Sequence, residues 1–212
     1  MATEDSGWIR AAVLGANDGI LSTSSLILGL GSHANPLLAG AAALVAGAFS
    51  MAAGEYVSVS AQSDLERASR ATEQQELQAN PAQEVQELQE IYQERGLEAS
   101  LAGEVAIQLT LHDALGAHMR DELGITEELK ARPTQAALAS ALSFSAGALV
   151  PILVVLAGLG APWLIAVSLA FLGGLGAWAA QAGGADSKIG ATRIVSWGTL
   201  AMGLSLLIGH LL

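Results

Sequence analysis

The chain of 212 residues contains no cysteine. Disulfides, thiolate metal sites and cysteine nucleophiles are therefore excluded, and the redox compartment leaves no mark. Charge is sparse, with Asp, Glu, Lys and Arg at 14% together. What charge there is leans acidic, to a net −11, and no basic patch offsets it, which argues against nucleic-acid binding. The opening MATEDSGWIR has no basic n-region and no cleavage site, so a removable signal peptide is not expected. No Glu-x-x-His occurs, which counts against a ferritin-like di-iron bundle, where two helices carry that pair.

What is present is apolar and small. Hydrophobic residues make up 52% and glycine contributes 24 positions. The apolar runs are too long for one soluble domain, and small residues let helices approach closely in lipid. Five membrane spans are expected, at roughly 10–31, 36–60, 134–159, 162–181 and 190–212. Pro36 suits a first helical turn, where its missing N–H costs little. Pro151 sits inside the third span, removes a backbone hydrogen bond and should bend it. All nine Lys and Arg fall on one side of this topology: Arg10, six between spans two and three, and Lys188 and Arg193. The positive-inside rule then puts the N-terminus and residues 63–133 in the cytosol.

Asp18 lies within the apolar run Ala11–Leu30, AAVLGANDGILSTSSLILGL. An ionised side chain at membrane depth costs several kcal/mol and is usually retained for ions, protons or substrates. Glu55 stands in the next span, in SMAAGEYVSVS, close to Met51. The bland alternative is that both acids sit near span ends and reach water.

Residues 63–133 differ in kind. They hold fifteen of the twenty acids against six basic residues, with little Gly or Pro. Apolar positions at Leu77, Val85, Leu88, Ile91, Tyr92 and Leu97 keep a helical period, so a folded domain is expected rather than a disordered tail. Asn80-Pro81 should end a first helix and Arg95-Gly96 a second; a third should run from Glu98 to Leu123. The organisation is thus 1–62, 63–133 and 134–212. Glu73 and Glu76, then Glu84 and Glu87, form two Glu-x-x-Glu pairs, each on one helical face. His118 and Glu122 stand at i, i+4, beside Met119. Carboxylate oxygens with one imidazole suit Fe²⁺, Mn²⁺, Co²⁺ or Zn²⁺ without choosing among them. Glutamates placed only for solvation are the competing reading.

These segments are recognisable together. GANDGILSTSSLILGL, AGAFSMAAGEYVSVSAQSD, the acidic insert with IYQERGL and MRDELGI, and SFSAGALVPIL resemble the vacuolar iron transporter family, in its compact prokaryotic form. The resemblance covers almost the whole chain. It implies an all-α membrane protein of five transmembrane helices with a cytosolic three-helix metal-binding insert. It further implies a homodimer with the path at the subunit interface, exporting Fe²⁺ from the cytosol in exchange for protons. That is transport rather than enzymatic catalysis, with no prosthetic group, in a prokaryotic inner membrane or a vacuole-like one.

The family's ligand pattern maps onto Glu73, Glu76, Glu84, Glu87 and Glu122. Its methionine position falls at His118, with Met119 beside it, so both are candidates and the metal preference is open toward Zn²⁺ or Co²⁺. Its pore residues map onto Asp18 and Met51. A second-span Glu of some eukaryotic members falls at Ala43, leaving Glu55 as the nearest carboxylate. Gly15, Gly19, Gly29, Gly40, Gly47 and Gly54 are expected to help two copies approach. The rivals are a membrane-anchored metal sensor or store and a dimeric scaffold.

Overall fold

A computed structural model describes residues 4–126 and 131–211, without the side chains of 4–11 and Ser32. The tail before Glu4, Lys130 and the Arg10 side chain, used above for topology and orientation, lie outside that description. The described residues are mostly helical, with no strand among them. Among the described residues seven α-helices follow in order: α1 (Glu4–Leu30), α2 (Pro36–Ala79), α3 (Pro81–Glu94), α4 (Ala99–Asp121), α5 (Pro133–Leu156), α6 (Ala161–Ala182) and α7 (Ser187–Leu211). Five of them, α1, α2, α5, α6 and α7, are long and apolar enough to cross a bilayer. The protein is an all-α membrane protein.

The chain forms two compact units. One comprises the chain up to Tyr56 and from Thr134 onward; the other is Val57–Pro133. Helix α2 contributes to both, because no stop interrupts its 44 residues. Nothing between Ser60 and Ser63 breaks a helix, whereas Asn80-Pro81 does. Asn35 starts α2 by accepting hydrogen bonds at Oδ1 from the N–H groups of Leu37 (2.9 Å) and Leu38 (3.3 Å), with Pro36 behind it in the first turn. Asp186 serves α7 alike, accepting from the Lys188 N–H at 2.7 Å. Helix α5 continues unbroken through Pro151, which is fully buried.

In the membrane unit α1 is the central strut. Its Gly19 lies against the α5 backbone at Phe144 and Ala148, and Gly147 of α5 lies against the Ala16 carbonyl. Ser24 shares a buried hydrogen bond with Ser168 of α6, Oγ to Oγ at 2.8 Å. Gly29 meets Gly209 of α7 backbone to backbone. Gly40 packs on Ile27 and Ile152, and Gly47 on the Phe144 ring. Lipid supplies no hydrophobic drive between helices, so close backbone approach at small residues takes its place. Gly15, Gly19, Gly29, Gly40 and Gly47, which suggested self-association in the sequence, are thus spent within one chain; of the six, only Gly54 has open space around it.

One face of α1 stays uncovered. Leu14, Asp18, Ser22, Leu26 and Leu30 recur every four residues, and all five are exposed.

The packing makes a contrast that can be measured. Gly19→Ala presses a methyl into the α5 backbone, which has no rotamer to yield, and should cost ~1–3 kcal/mol. Gly54→Ala meets nothing and should melt like the wild type. Thermal melting of detergent-solubilised protein, followed by size-exclusion fluorescence, reads the difference.

Candidate metal centre

The polar unit is built by α3 and α4 around a small apolar core. On α3, Glu84, Leu88 and Tyr92 fall at i, i+4, i+8, and all three are buried. Leu88 and Tyr92 pack on Ala102, Ala106 and Ala117 of α4, whose small side chains admit them. Glu84 is carried inward at the end of that apolar stripe. Between the helices, Gly96 takes φ +100°, and the N–H groups of Gly96 and Leu97 return to the carbonyls of Gln93 and Tyr92. This is a Schellman stop, which only a residue free to adopt positive φ completes without strain. The Glu98 side chain then caps α4 by accepting from the Ser100 N–H at 3.2 Å.

Helix α4 is not one straight rod. Asp113 leaves helical geometry at φ −159°, ψ 86°, and its Oδ1 accepts a hydrogen bond from the Gly116 N–H at 3.0 Å. It acts as an N-cap inside the element, ending one helix and starting the next. A β-carbon at Gly116 would meet the Asp113 carboxylate and press the capping side chain out of place. The sequence signal was present in Asp-x-x-Gly, yet the expected single helix from Glu98 to Leu123 overlooked it. The short second segment presents His118 and Glu122.

Its far end is fixed to α3 through Asp121. Tyr92 donates its hydroxyl to Asp121 Oδ2 at 2.9 Å, and Arg95 donates to Oδ1 at 2.8 Å and to the Asp121 carbonyl at 2.6 Å. Burial works against the Asp121 charge, but hydrogen bonds from Arg120, Arg95 and Tyr92 outweigh it and hold the carboxyl at about 2.

These supports bring acids and an imidazole together. His118 is fully buried at 0% exposure, with Glu73 at 3% and Glu84 at 5%. The His118 Nδ1 lies 2.9 Å from Glu122 Oε2, to which it is hydrogen-bonded, 3.1 Å from Glu73 Oε1 and 3.9 Å from Glu84 Oε2. One ligand atom from each of Glu73, Glu84 and His118 falls within 4.8 Å of the others. Glu73 Oε1 and His118 Nε2 are buried without a hydrogen-bond partner among the described residues. Burial pushes the Glu73 carboxyl up to about 7; Glu122, Glu84 and Glu76 add to the rise and His118 opposes it. Glu84 is raised too, by burial first and then by the Glu87 charge. A cation would relieve both the repulsion and the two unpartnered atoms.

The seven candidates of the insert thus divide. Glu73, Glu84, His118 and Glu122 meet. Glu76 is exposed and Glu87 half-buried, close enough to act on Glu73 and Glu84 through their charge. Met119 is buried and lines a cleft whose lining includes none of those four residues. In the membrane unit Asp18 and Glu55 are exposed and Met51 half-buried, and no further grouping of three potential His, Asp or Glu ligands occurs among the described residues. The Ser22 hydroxyl donates to the Asp18 main-chain carbonyl at 2.5 Å, leaving the carboxylate on the open face of α1.

Five apolar helices and a buried acid–imidazole cluster in a polar unit define a multi-pass membrane protein with a candidate divalent-cation site. The chain belongs to the VIT family, whose sequence profile matches residues 9–210. It is 43% identical over 212 residues to the vacuolar iron transporter of Acanthamoeba castellanii, covering 97% of this chain and 78% of that one. It is 36% identical over 208 residues to vacuolar iron transporter homolog 1 of Oryza sativa subsp. japonica, covering 93% and 71%. It is 35% identical over 219 residues to vacuolar iron transporter homolog 2 of Arabidopsis thaliana, covering 96% and 86%.

The raised Glu73 carboxyl sets a pH signature. In the metal-free fold it stays protonated up to about 7, whereas an unfolded glutamate ionises near its usual 4.5. Between those values the folded state holds more protons, so this group's contribution to stability falls as pH rises through that window. A metal ion entering at pH 6 must expel that proton. Calorimetry in buffers of differing ionisation enthalpy should show about one more proton released per ion at pH 6 than at pH 8.5. Glu73→Gln should remove the difference.

Proposed function

We propose that the chain exports a divalent metal ion from the cytosol, Fe²⁺ foremost, with Mn²⁺, Co²⁺ and Zn²⁺ also accommodated, while protons return. The observation that carries this is the buried meeting of Glu73, Glu84 and His118, with Glu122 on the ring nitrogen. Oxygen-rich donors with one imidazole hold such ions. The names of its relatives, vacuolar iron transporters and their homologues, support the same cargo. His118 is the nitrogen ligand in this reading, Glu122 completes the set, and Glu76 and Glu87 draw cations toward it. Residues 63–133 are the cytosolic collecting domain in this reading, which the one-sided distribution of Lys and Arg supports.

In the membrane the ion passes Asp18, with Met51 as thioether ligand and Glu55 as a further carboxylate. A carboxylate cannot hold a proton and a metal ion equally well, and that competition couples the two flows. An acid on the uncovered face of a membrane helix is not stable against lipid. A second copy of the chain covers it in this reading, so the working unit is a homodimer with a wet path along α1. The membrane is a prokaryotic inner membrane or a vacuole-like one.

Flux in proteoliposomes tests the reading. Fe²⁺ should move across the bilayer, faster when the far side is made more acidic. Asp18→Asn keeps the shape but neither ionises nor exchanges a proton, and should lower flux at least a hundredfold with metal binding by the polar unit unchanged. Metal binding without any flux in the wild type would leave a sensor or store instead.

A further inference from the structure

We propose that the polar unit carries a second, oppositely charged site: a cleft that binds a small polyanion through phosphate or carboxylate oxygens. The cleft has a volume of about 790 Å³ and is lined by Arg67 and Arg70 of α2 and His112 and Arg120 of α4. Three of the six basic residues in 63–133 therefore meet at one cavity, in a segment holding fifteen acids. A strongly acidic domain repels anions at long range, so anion binding here demands local concentration of cations within a Debye length, about 8–10 Å.

Two of the arginines, Arg67 and Arg70, are available. Arg70 makes no ion pair among the described residues. Arg67 meets Asp64 only at 3.5 Å, and both side chains are largely exposed, so that pair holds the guanidinium weakly. Arg120 is the anchored member, paired with Asp121 at 2.5 Å. Among the described residues two acids stand on the lining; both keep their charge, but their oxygens already accept hydrogen bonds, and the three arginines outnumber them. Asp113 caps Gly116 at 3.0 Å, and Glu66 accepts from Gln62 at 2.9 Å and from the Ala131 N–H at 3.4 Å. Guanidinium forks match the paired oxygens of phosphate and carboxylate.

The occupant is a free oxyanion or the phosphate of a lipid headgroup, and the chemistry of recognition is shared. The site is independent of the proposed cargo. Calorimetric titration of pyrophosphate into the full chain reads it, in phosphatidylcholine nanodiscs and metal-free buffer of low ionic strength. Saturable binding is expected, weakened at least tenfold in the Arg67→Gln/Arg70→Gln variant and at least threefold in Arg70→Gln alone. Lys188→Gln, in the other unit, should bind as the wild type does. Dihexanoyl phosphatidylglycerol below its micellar concentration then distinguishes the sources: displacement of pyrophosphate assigns a headgroup, and no displacement assigns a free anion. Absence of saturable pyrophosphate binding, or equal binding by wild type and both arginine variants, overturns the proposal.

Discussion

Carboxylates withdrawn from water repel one another, and the polar unit forces three of them onto one imidazole ring. Burial and mutual repulsion both favour protonated acids there, which is why Glu73 titrates near neutrality. The surrounding structure holds them together regardless. Leu88 and Tyr92 lock α3 on the alanine face of α4, and Asp121 ties the ends of both helices through Tyr92 and Arg95. The Asp113 cap turns the last segment of α4 so that His118 enters the interior. Such a frame stays unrelieved until charge of the opposite sign arrives, and a divalent ion supplies more of it than a proton.

The membrane unit is governed by another constraint. Its helices are pinned by backbone contacts at Gly19, Gly147, Gly29 and Gly209, with Ser24 and Ser168 as a polar clasp. This consumes most of the α1 and α2 glycines that could have served contacts between copies, Gly54 excepted. The uncovered stripe on α1, with Asp18 in it, is what remains unexplained by one chain alone. An acid there gives the proposed homodimer a physical motive that does not depend on glycine.

Charge is also separated on a small scale within the polar unit. His118 and Met119 are neighbours in the chain, yet one lies in the acid cluster and the other lines the arginine cleft. Consecutive residues on a helix point about 100° apart, and that rotation divides the two surroundings. Candidate cation and anion sites thus have separate linings within one unit, with no residue shared between them.

Sequence by itself determined the helical class, the five apolar segments and the stops at Asn80-Pro81 and Arg95-Gly96. Those follow from local rules: hydrophobic length, the missing proline N–H and the positive φ that glycine tolerates. It also marked the pairs Glu73/Glu76 and Glu84/Glu87, because i, i+3 spacing puts both members on one helical face. Which member of each pair turns inward was a matter of tertiary packing: Glu84 lies in line with Leu88 and Tyr92, and Glu87 does not. The break at Asp113 was written locally in Asp-x-x-Gly, but the divergence of Met119 from His118 and the use of glycines within the chain were decided in three dimensions. Each depends on what stands opposite a residue across a helix interface, and periodicity along one chain carries no record of its partner.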